Sequence, residues 1–397
     1  TGTIMFLING FILGMTAGFT VLTAQKFGAG DMKAMRQTVG GAAVLTTIVT
    51  IILTTLGLLF MKPLLIFMKT PSDIFQDAYA YIMIICAGIA AQMLYNLMAS
   101  ILRALGNSKV PLYFLILSAL LNIALDLLLI IVFGLGASGA AYATVIAQGI
   151  SGLLCLVYVK LKVPMLHLER DDWRPKGHLL KMQFAVGVPM ALQYSITAIG
   201  TMMVQTSQNL LGSNIVAAFT AASKIEQVVT QAYVALGTTM ATYCAQNIGA
   251  GKIKRIRKGF KSATIMASIY AVVTAALIMT VGKYMTYLFV SDNVIEIMSN
   301  VDIYLKCIGV FFIPLAIVNL YRNGIQGMGY GLLPMMAGVA ELIGRGVVAV
   351  IAANKRSYFG VCMASPAAWV LAGGLLLVMY YYIMLKDMKR KFPNRTE

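Results

Sequence analysis

Eleven stretches of this chain are each long and apolar enough to cross a lipid bilayer, a task that takes about 20 helical residues. They lie near residues 3–23, 37–60, 78–102, 110–133, 137–159, 182–211, 215–245, 263–290, 301–319, 332–353 and 361–385. Hydrocarbon offers no partner to an unpaired backbone amide, so each stretch is expected to be a helix. Composition agrees, because 59% of the 397 residues are hydrophobic and only 11% are charged. A soluble chain of this length carries about a quarter charged residues and could not hide that much apolar surface in one core. The expected fold class is therefore an all-α integral membrane protein.

Several function classes fall away on the same reading. The chain starts at Thr1 with no basic segment and no small-residue cleavage site, so no signal peptide is expected. Cys86, Cys155, Cys244, Cys307 and Cys362 are scattered without paired spacing, which reads as small buried hydrophobes rather than disulfides or zinc ligands. His167 and His178 both fall in the polar stretch 160–181, and histidine catalysis inside the membrane is thereby excluded. No HExxH, P-loop or Ser/His/Asp arrangement occurs. The adjacent acids Asp171 and Asp172 also lie in that stretch, so a membrane-embedded metal-dependent enzyme lacks its carboxylates. No enzyme and no cofactor are expected.

A net charge of +17 invites a nucleic-acid reading, and its distribution argues against one. When the connections are assigned alternately to two sides, one side carries 23 basic residues, Arg36, Arg257, Arg322 and Arg395 among them. The other has 5: Lys62, Lys69, Lys283, Lys355 and Arg356. That asymmetry is the positive-inside rule, which makes the basic side cytoplasmic, with the C-terminus inside and Thr1 outside. A multi-pass protein of a bacterial-type plasma membrane fits, surrounded by lipid. Neither nucleic acid nor an obligate protein partner is called for.

An internal repeat organises the chain. AQKFGAGDMKAMRQ at residues 24–37 matches AQNIGAGKIKRIRK at 245–258, an offset of 221. LGNSKVP at 105–111 parallels MGYGLLP at 328–334, and FGLGASGAAYA at 133–143 parallels FGVCMASPAAW at 359–369. Each match marks a loop-to-helix junction, where glycines permit tight turns and Pro111 or Pro334 begins a helix. The first motif closes the second helix of the later half but the first helix of the earlier half. The repeat therefore predicts one helix ahead of Thr1, giving eleven present of twelve. Two six-helix halves would then share one orientation and be related by a pseudo-two-fold axis along the membrane normal. The expected division is an N-terminal lobe over 1–160, a cytoplasmic linker over 161–181 and a C-terminal lobe over 182–397.

The GAG motif, LGNSKVP, FGLGASGAAYA and their echoes resemble the multidrug and toxic compound extrusion (MATE) family over essentially the whole chain. The resemblance implies a secondary active antiporter that exports amphipathic or cationic organic compounds in exchange for Na⁺ or H⁺ by alternating access. A lipid-linked oligosaccharide flippase of the same superfamily is the alternative. It would need a cluster of cavity Arg and Lys, for which only Lys224, Lys306 and Arg345 are candidates.

Intramembrane ionisable residues carry the chemistry, since each is costly unless paired or solvated. Asp126 sits sixteen residues past Val110, roughly 24 Å along its helix at 1.5 Å per residue. Asn122 lies four earlier on the same face, and Thr144 on the next helix can add a hydroxyl. These oxygens suit Na⁺ or a proton on a desolvated carboxylate; Asp126 as a purely structural hydrogen-bonding residue is the bland alternative. The resemblance places the family's N-lobe cation site on Asn122, Asp126 and Thr144, completed by an aspartate from the first helix. In the second half Glu341 and Arg345 are four apart and can pair, in a structural or a transport role. Arg345 holds the repeat position of Asn122. Lys224 and Glu226 lie on different faces of one helix, and Glu226 is a candidate second proton carrier. Gln92, Tyr95 and Asn96 in one half, and Gln193, Tyr194, Gln205 and Gln208 with Met202 in the other, are candidates for a substrate cavity. Ordinary helix packing would explain the same residues. Pro189 and Pro314 are expected to mark bends.

Overall fold

The computed structural model describes residues 2–67, 72–174, 176–288 and 294–392; Lys69 and Arg395, counted above among the loop cations, lie outside them. Among the described residues every regular element is a helix, as the bilayer requires of an apolar chain. The first half contains α1 (Gly2–Gly28), α2 (Met32–Phe67), α3 (Ser72–Ala87), α4 (Ile89–Ala104), α5 (Lys109–Asp126) and α6 (Gly136–Lys162). Then come α7 (Gly177–Asn209), α8 (Ser213–Gly249), α9 (Ile253–Thr280), α10 (Val294–Gly309), α11 (Phe312–Gly327) and α12 (Leu332–Asn354). The short α13 (Tyr358–Cys362), α14 (Ala364–Tyr382) and α15 (Met388–Lys391) end the chain. By its contacts the chain forms two compact units, Thr1–Ala191 and Leu192–Glu397, with the division inside α7.

The repeat is visible in backbone geometry. Gly30 and Gly251, 221 apart, are both left-handed, at φ of 75° and 67°. Each follows a helix end closed in the same way: Asp31 N–H donates to Lys26 O at 3.1 Å, and Lys252 N–H to Asn247 O at 2.8 Å. Gly106 and Gly329, at φ of 84° and 93°, repeat the pattern, and Pro111 and Pro334 each sit in the first turn of the helix that follows. The third match diverges. Gly134 and Gly136 are left-handed, whereas Gly360 lies within α13, its N–H held by Ser357 Oγ at 3.1 Å. There a side-chain cap replaces the glycine turn.

Eight helices among the described residues are long and apolar enough to span a membrane, or ten if two bent pairs each count as one span. The expected count of eleven differs by α8. That helix has 37 residues, ample length, but Lys224, Glu226, Gln227 and Gln231 lower its apolar character. A bend was expected at Pro314 but none within residues 78–102, and the structure bends at both places. α3 meets α4 at 48° and α10 meets α11 at 53°, and α4 and α11 begin 223 residues apart, at Ile89 and Phe312. The later bend falls just before Pro314. The earlier falls at Gly88, where a Cβ would collide with Val145 of α6. α7, in contrast, runs helical through Pro189.

Within the first unit α1 crosses α7 through small residues. Gly14 and Gly18 face Ala191 and Gly187, and a Cβ on Gly14 would stand 2.6 Å from the Ala191 Cα. Buried Gln183 of α7 donates to Phe19 O at 2.8 Å and Thr38 O at 2.7 Å, tying α7 to α1 and α2. The polar stretch after α6 is docked rather than loose. Arg36 Nε of α2 donates to Asp172 Oδ2 at 3.0 Å, while Gly40 lets the Asp172 carbonyl lie against α2. All five cysteines are buried and free.

Candidate functional site

In the first unit the expected residues gather where α5 packs on α6. Asn122 Nδ2 donates to Thr144 Oγ1 at 3.4 Å, and the Thr144 hydroxyl donates back to Ala140 O at 3.0 Å. Asp126 bonds to neither, and its Oδ1 is buried with no hydrogen-bond partner. Tyr81 of α3 stands near enough to feel the Asp126 charge. The α-helix ends at Asp126, and the next six residues, Leu127–Val132, wind as a π-helix. Such widened turns recur at functional sites because they free a carbonyl and re-aim a side chain. One turn beyond Thr144, Gln148 Oε1 is likewise buried and unpartnered. No group of three His, Cys, Asp or Glu side chains gathers among the described residues. The donors here are thus hard oxygens of carboxylate, amide and hydroxyl type, a set suited to a small hard cation or a proton.

The second unit holds a larger ionic cluster. Glu341 and Arg345 of α12 pair at 2.7 Å, as their spacing suggested, and the second carboxylate oxygen accepts from Arg322 Nη2 at 2.5 Å. Arg322 had been placed among the loop cations. It lies inside α11 with its side chain only 11% exposed, so it leaves the count of the basic side. The repeat held the signal, since Arg322 aligns with Ala99, which is fully buried in α4. Two arginines on one carboxylate leave the triad with an excess positive charge. The Arg345 Nε and Nη1 and the Arg322 Nε have no hydrogen-bond partner, and Arg345 Nη1 lies against Gly200 of α7. Half-buried Glu226 accepts from the Tyr304 hydroxyl at 2.6 Å and feels the Arg345 charge, while Lys224 points to the exposed face. Lys306 pairs with Asp302 one turn away.

The other cavity candidates take several environments. Gln193 is buried and accepts from Gln326 Nε2 at 2.6 Å, a polar bridge between α7 and α11. Tyr95 is buried with its hydroxyl on Pro111 O at 3.1 Å, and Asn96 Nδ2 donates to Gln92 O at 2.8 Å. Gln92 Oε1 and Gln208 Nε2 are buried without partners. Met202 is half-buried, and Tyr194 and Gln205 are exposed.

A repeat of helices long and apolar enough to span a bilayer, with ionisable groups buried among them, is the build of a membrane transporter. The MatE family model matches residues 1–128 and 185–351, and the chain belongs to that family of transporters, which are not enzymes. Probable multidrug resistance protein YpnP of Bacillus subtilis (strain 168) is 34% identical over 339 residues, covering 85% of this chain and 74% of the relative. Probable multidrug resistance protein YoeA of the same organism is 26% identical over 389 residues, covering 96% and 83%. Among solved structures, the outward-facing conformation of a multidrug resistance MATE family transporter of the MOP superfamily superposes with a TM-score of 0.91 at 21% identity, covering 97% and 86%. That likeness concerns the fold.

Proposed function

We propose that this protein exports amphipathic or cationic organic compounds by antiport against Na⁺ or H⁺, with Asp126 as the coupling carboxylate. The observation that carries the proposal is the buried, unpartnered Asp126 Oδ1 beside the Asn122–Thr144 pair, at the start of a π-helical turn. A carboxylate oxygen held this way favours whichever cation or proton relieves it. The family, and the multidrug resistance names of YpnP and YoeA, support the cargo class. Alternating access would move lobes 1–160 and 182–397 about the linker 161–181, and the basic excess orients that linker and the C-terminus to the cytoplasm of a plasma membrane.

The test reconstitutes the whole gene product in vesicles and follows a fluorescent organic cation under an imposed Na⁺ or H⁺ gradient. Wild type should transport under one gradient, and Asp126→Asn should abolish gradient-driven uptake while still binding the dye. Transport undiminished in Asp126→Asn removes the coupling assignment. No dye movement by wild type under either gradient favours the flippase alternative.

A further inference from the structure

Each unit carries a cavity at its basic end, and the two are the same cavity in the two copies of the repeat. The first, of about 480 Å³, is lined by Val39, Ala43, Met98 and Val159. The second, of about 540 Å³, is lined at the matching positions by Phe260, Thr264, Tyr321 and Leu385. The offsets, 221 for α2 and α9, 223 for α4 and α11, and 226 for α6 and α14, are those of the three sequence motifs.

What covers them differs. In the first unit Arg36 holds the buried Asp172 carboxylate at 3.0 Å, and Trp173 and Leu166 of the same segment line the cavity. Gly40 permits this, because the Asp172 carbonyl occupies the place of its missing Cβ. In the second unit Arg36 is matched by Arg257 and Gly40 by Lys261. A lysine there forbids the close approach of a covering segment and puts a second cation in its place. Both line the cavity, and among the described residues neither has a carboxylate within ion-pairing distance. Asp387, the acid that follows α14, is already taken by the Tyr330 hydroxyl at 2.8 Å and by Lys391 and Arg390. The second cavity thus keeps the arginine that its twin satisfies with an anion and adds a lysine, and among the described residues no anion pairs with either.

Its walls say what kind of anion fits. Phe260, Tyr321 and Tyr380 pack with ring centroids 4.5 to 5.1 Å apart. Outside them Ile265, Tyr381 and Leu385 are 51%, 60% and 59% exposed, on helices whose outer faces meet lipid. An occupant must offer negative charge to Arg257 and Lys261 and an apolar chain to Ile265 and Leu385. We propose that this cavity binds the phosphate headgroup of an anionic phospholipid from the leaflet on the basic side, with an acyl chain along α9 and α14. Basic pockets between transmembrane helices recognise such headgroups, and guanidinium and ammonium together match phosphate. The inference stands apart from the coupling role of Asp126.

The test is native mass spectrometry of the full chain in detergent, equilibrated with dioleoyl phosphatidylglycerol or dioleoyl phosphatidylcholine. Wild type should retain phosphatidylglycerol selectively. Arg257→Gln/Lys261→Gln should weaken retention about thirty-fold, about 2 kcal/mol at about 1 kcal/mol per basic residue. Arg257→Lys should keep most of it, and Lys254→Gln, an exposed cation outside the cavity, should leave it unchanged. Equal retention of both lipids, or an equal loss in Lys254→Gln and the double variant, overturns the site. Short-chain phosphatidylglycerol should displace the bound lipid where inorganic phosphate at the same concentration does not. Equal displacement by phosphate overturns the lipid assignment.

Discussion

Removing the Glu341 carboxylate should be far more harmful than removing it together with Arg345. Glu341 holds Arg322 at 2.5 Å and Arg345 at 2.7 Å, with the Glu341 and Arg345 side chains each 5% exposed. At an effective dielectric of about 20, unit charges roughly 4 Å apart attract by about 4 kcal/mol, so two contacts give about 8 kcal/mol gross. The two guanidiniums, roughly 8 Å apart across the carboxylate, repel by about 2 kcal/mol. Most of the gross attraction offsets desolvation, and breaking such a pair costs about 3–5 kcal/mol net because an uncompensated charge stays buried. Glu341→Gln strands two cations. Glu341→Gln/Arg345→Met strands one, Arg322, which at 11% exposure is the better placed to reach solvent. The assay is thermal unfolding in detergent, followed by a thiol-reactive dye that reports exposure of the buried Cys244, Cys307 and Cys362. At about 2–4 °C per kcal/mol for a unit of this size, Glu341→Gln should lower the midpoint by about 10 °C. The double variant should recover at least half of that loss. A double variant that melts as low as Glu341→Gln, or lower, would refute the view that charge imbalance sets the cost.

Three further outcomes follow from packing and polar contacts. Gly18→Leu puts a side chain where the Gly187 backbone stands; overpacking of about 1–3 kcal/mol or more should cut the monodisperse yield by size-exclusion chromatography, and an unchanged yield would contradict the close α1–α7 crossing. Asp172→Asn weakens the hold of Arg36 on the docked segment, so limited trypsin should cut after Arg170 about fivefold faster, the effect of about 1 kcal/mol in local opening; an equal rate counts against docking through this pair. Tyr304→Phe removes the 2.6 Å hydrogen bond to Glu226 and should cost about 1.5–3 kcal/mol in the same melting assay; the loss should shrink on a Glu226→Gln background, and equal losses on both backgrounds would argue against a charge-assisted bond.

The helices, their order and the repeat were legible because hydrophobicity and glycine positions are local signals. Gly30 and Gly251 could be assigned to tight turns from sequence, since nothing else adopts that backbone cheaply. Pro314 signalled the bend between α10 and α11, whereas the bend at Gly88 was missed, because an apolar run without proline reads the same whether straight or broken. The spacing of Glu341 and Arg345 gave their pairing. The third member, Arg322, comes from another helix, and only tertiary packing brings it there. Its repeat partner Ala99 would have betrayed a buried position. Gly14–Gly18 and Gly187–Ala191, both spaced by four, were likewise open to reading as a helix-crossing pair. Asn122 and Thr144 were found by resemblance as well as spacing. That Asp126 Oδ1 would be left unpartnered could not be read from sequence, because it depends on what every neighbouring helix withholds.

Superposing the repeat on itself bears on why coupling should rest in one unit. Asn122 aligns with Arg345 and Asp126 with Ala349, both at an offset of 223. Where the first unit holds an unpartnered carboxylate beside an amide and a hydroxyl, the second has lost the carboxylate, and Ala349 is fully buried. It has gained a guanidinium neutralised only in part by Glu341, which is shared with Arg322. A mobile cation approaching that position would meet a fixed one in a medium of low dielectric, where like charges a few ångströms apart repel by several kcal/mol. On the proposed coupling role of Asp126, the second unit would carry its cation covalently where the first takes one from solution. A chain with one exchangeable site should lose coupling entirely through Asp126 and retain it through Arg345→Met. Coupled transport that survives Asp126→Asn but fails in Arg345→Met would place the exchange in the other unit and reverse the assignment.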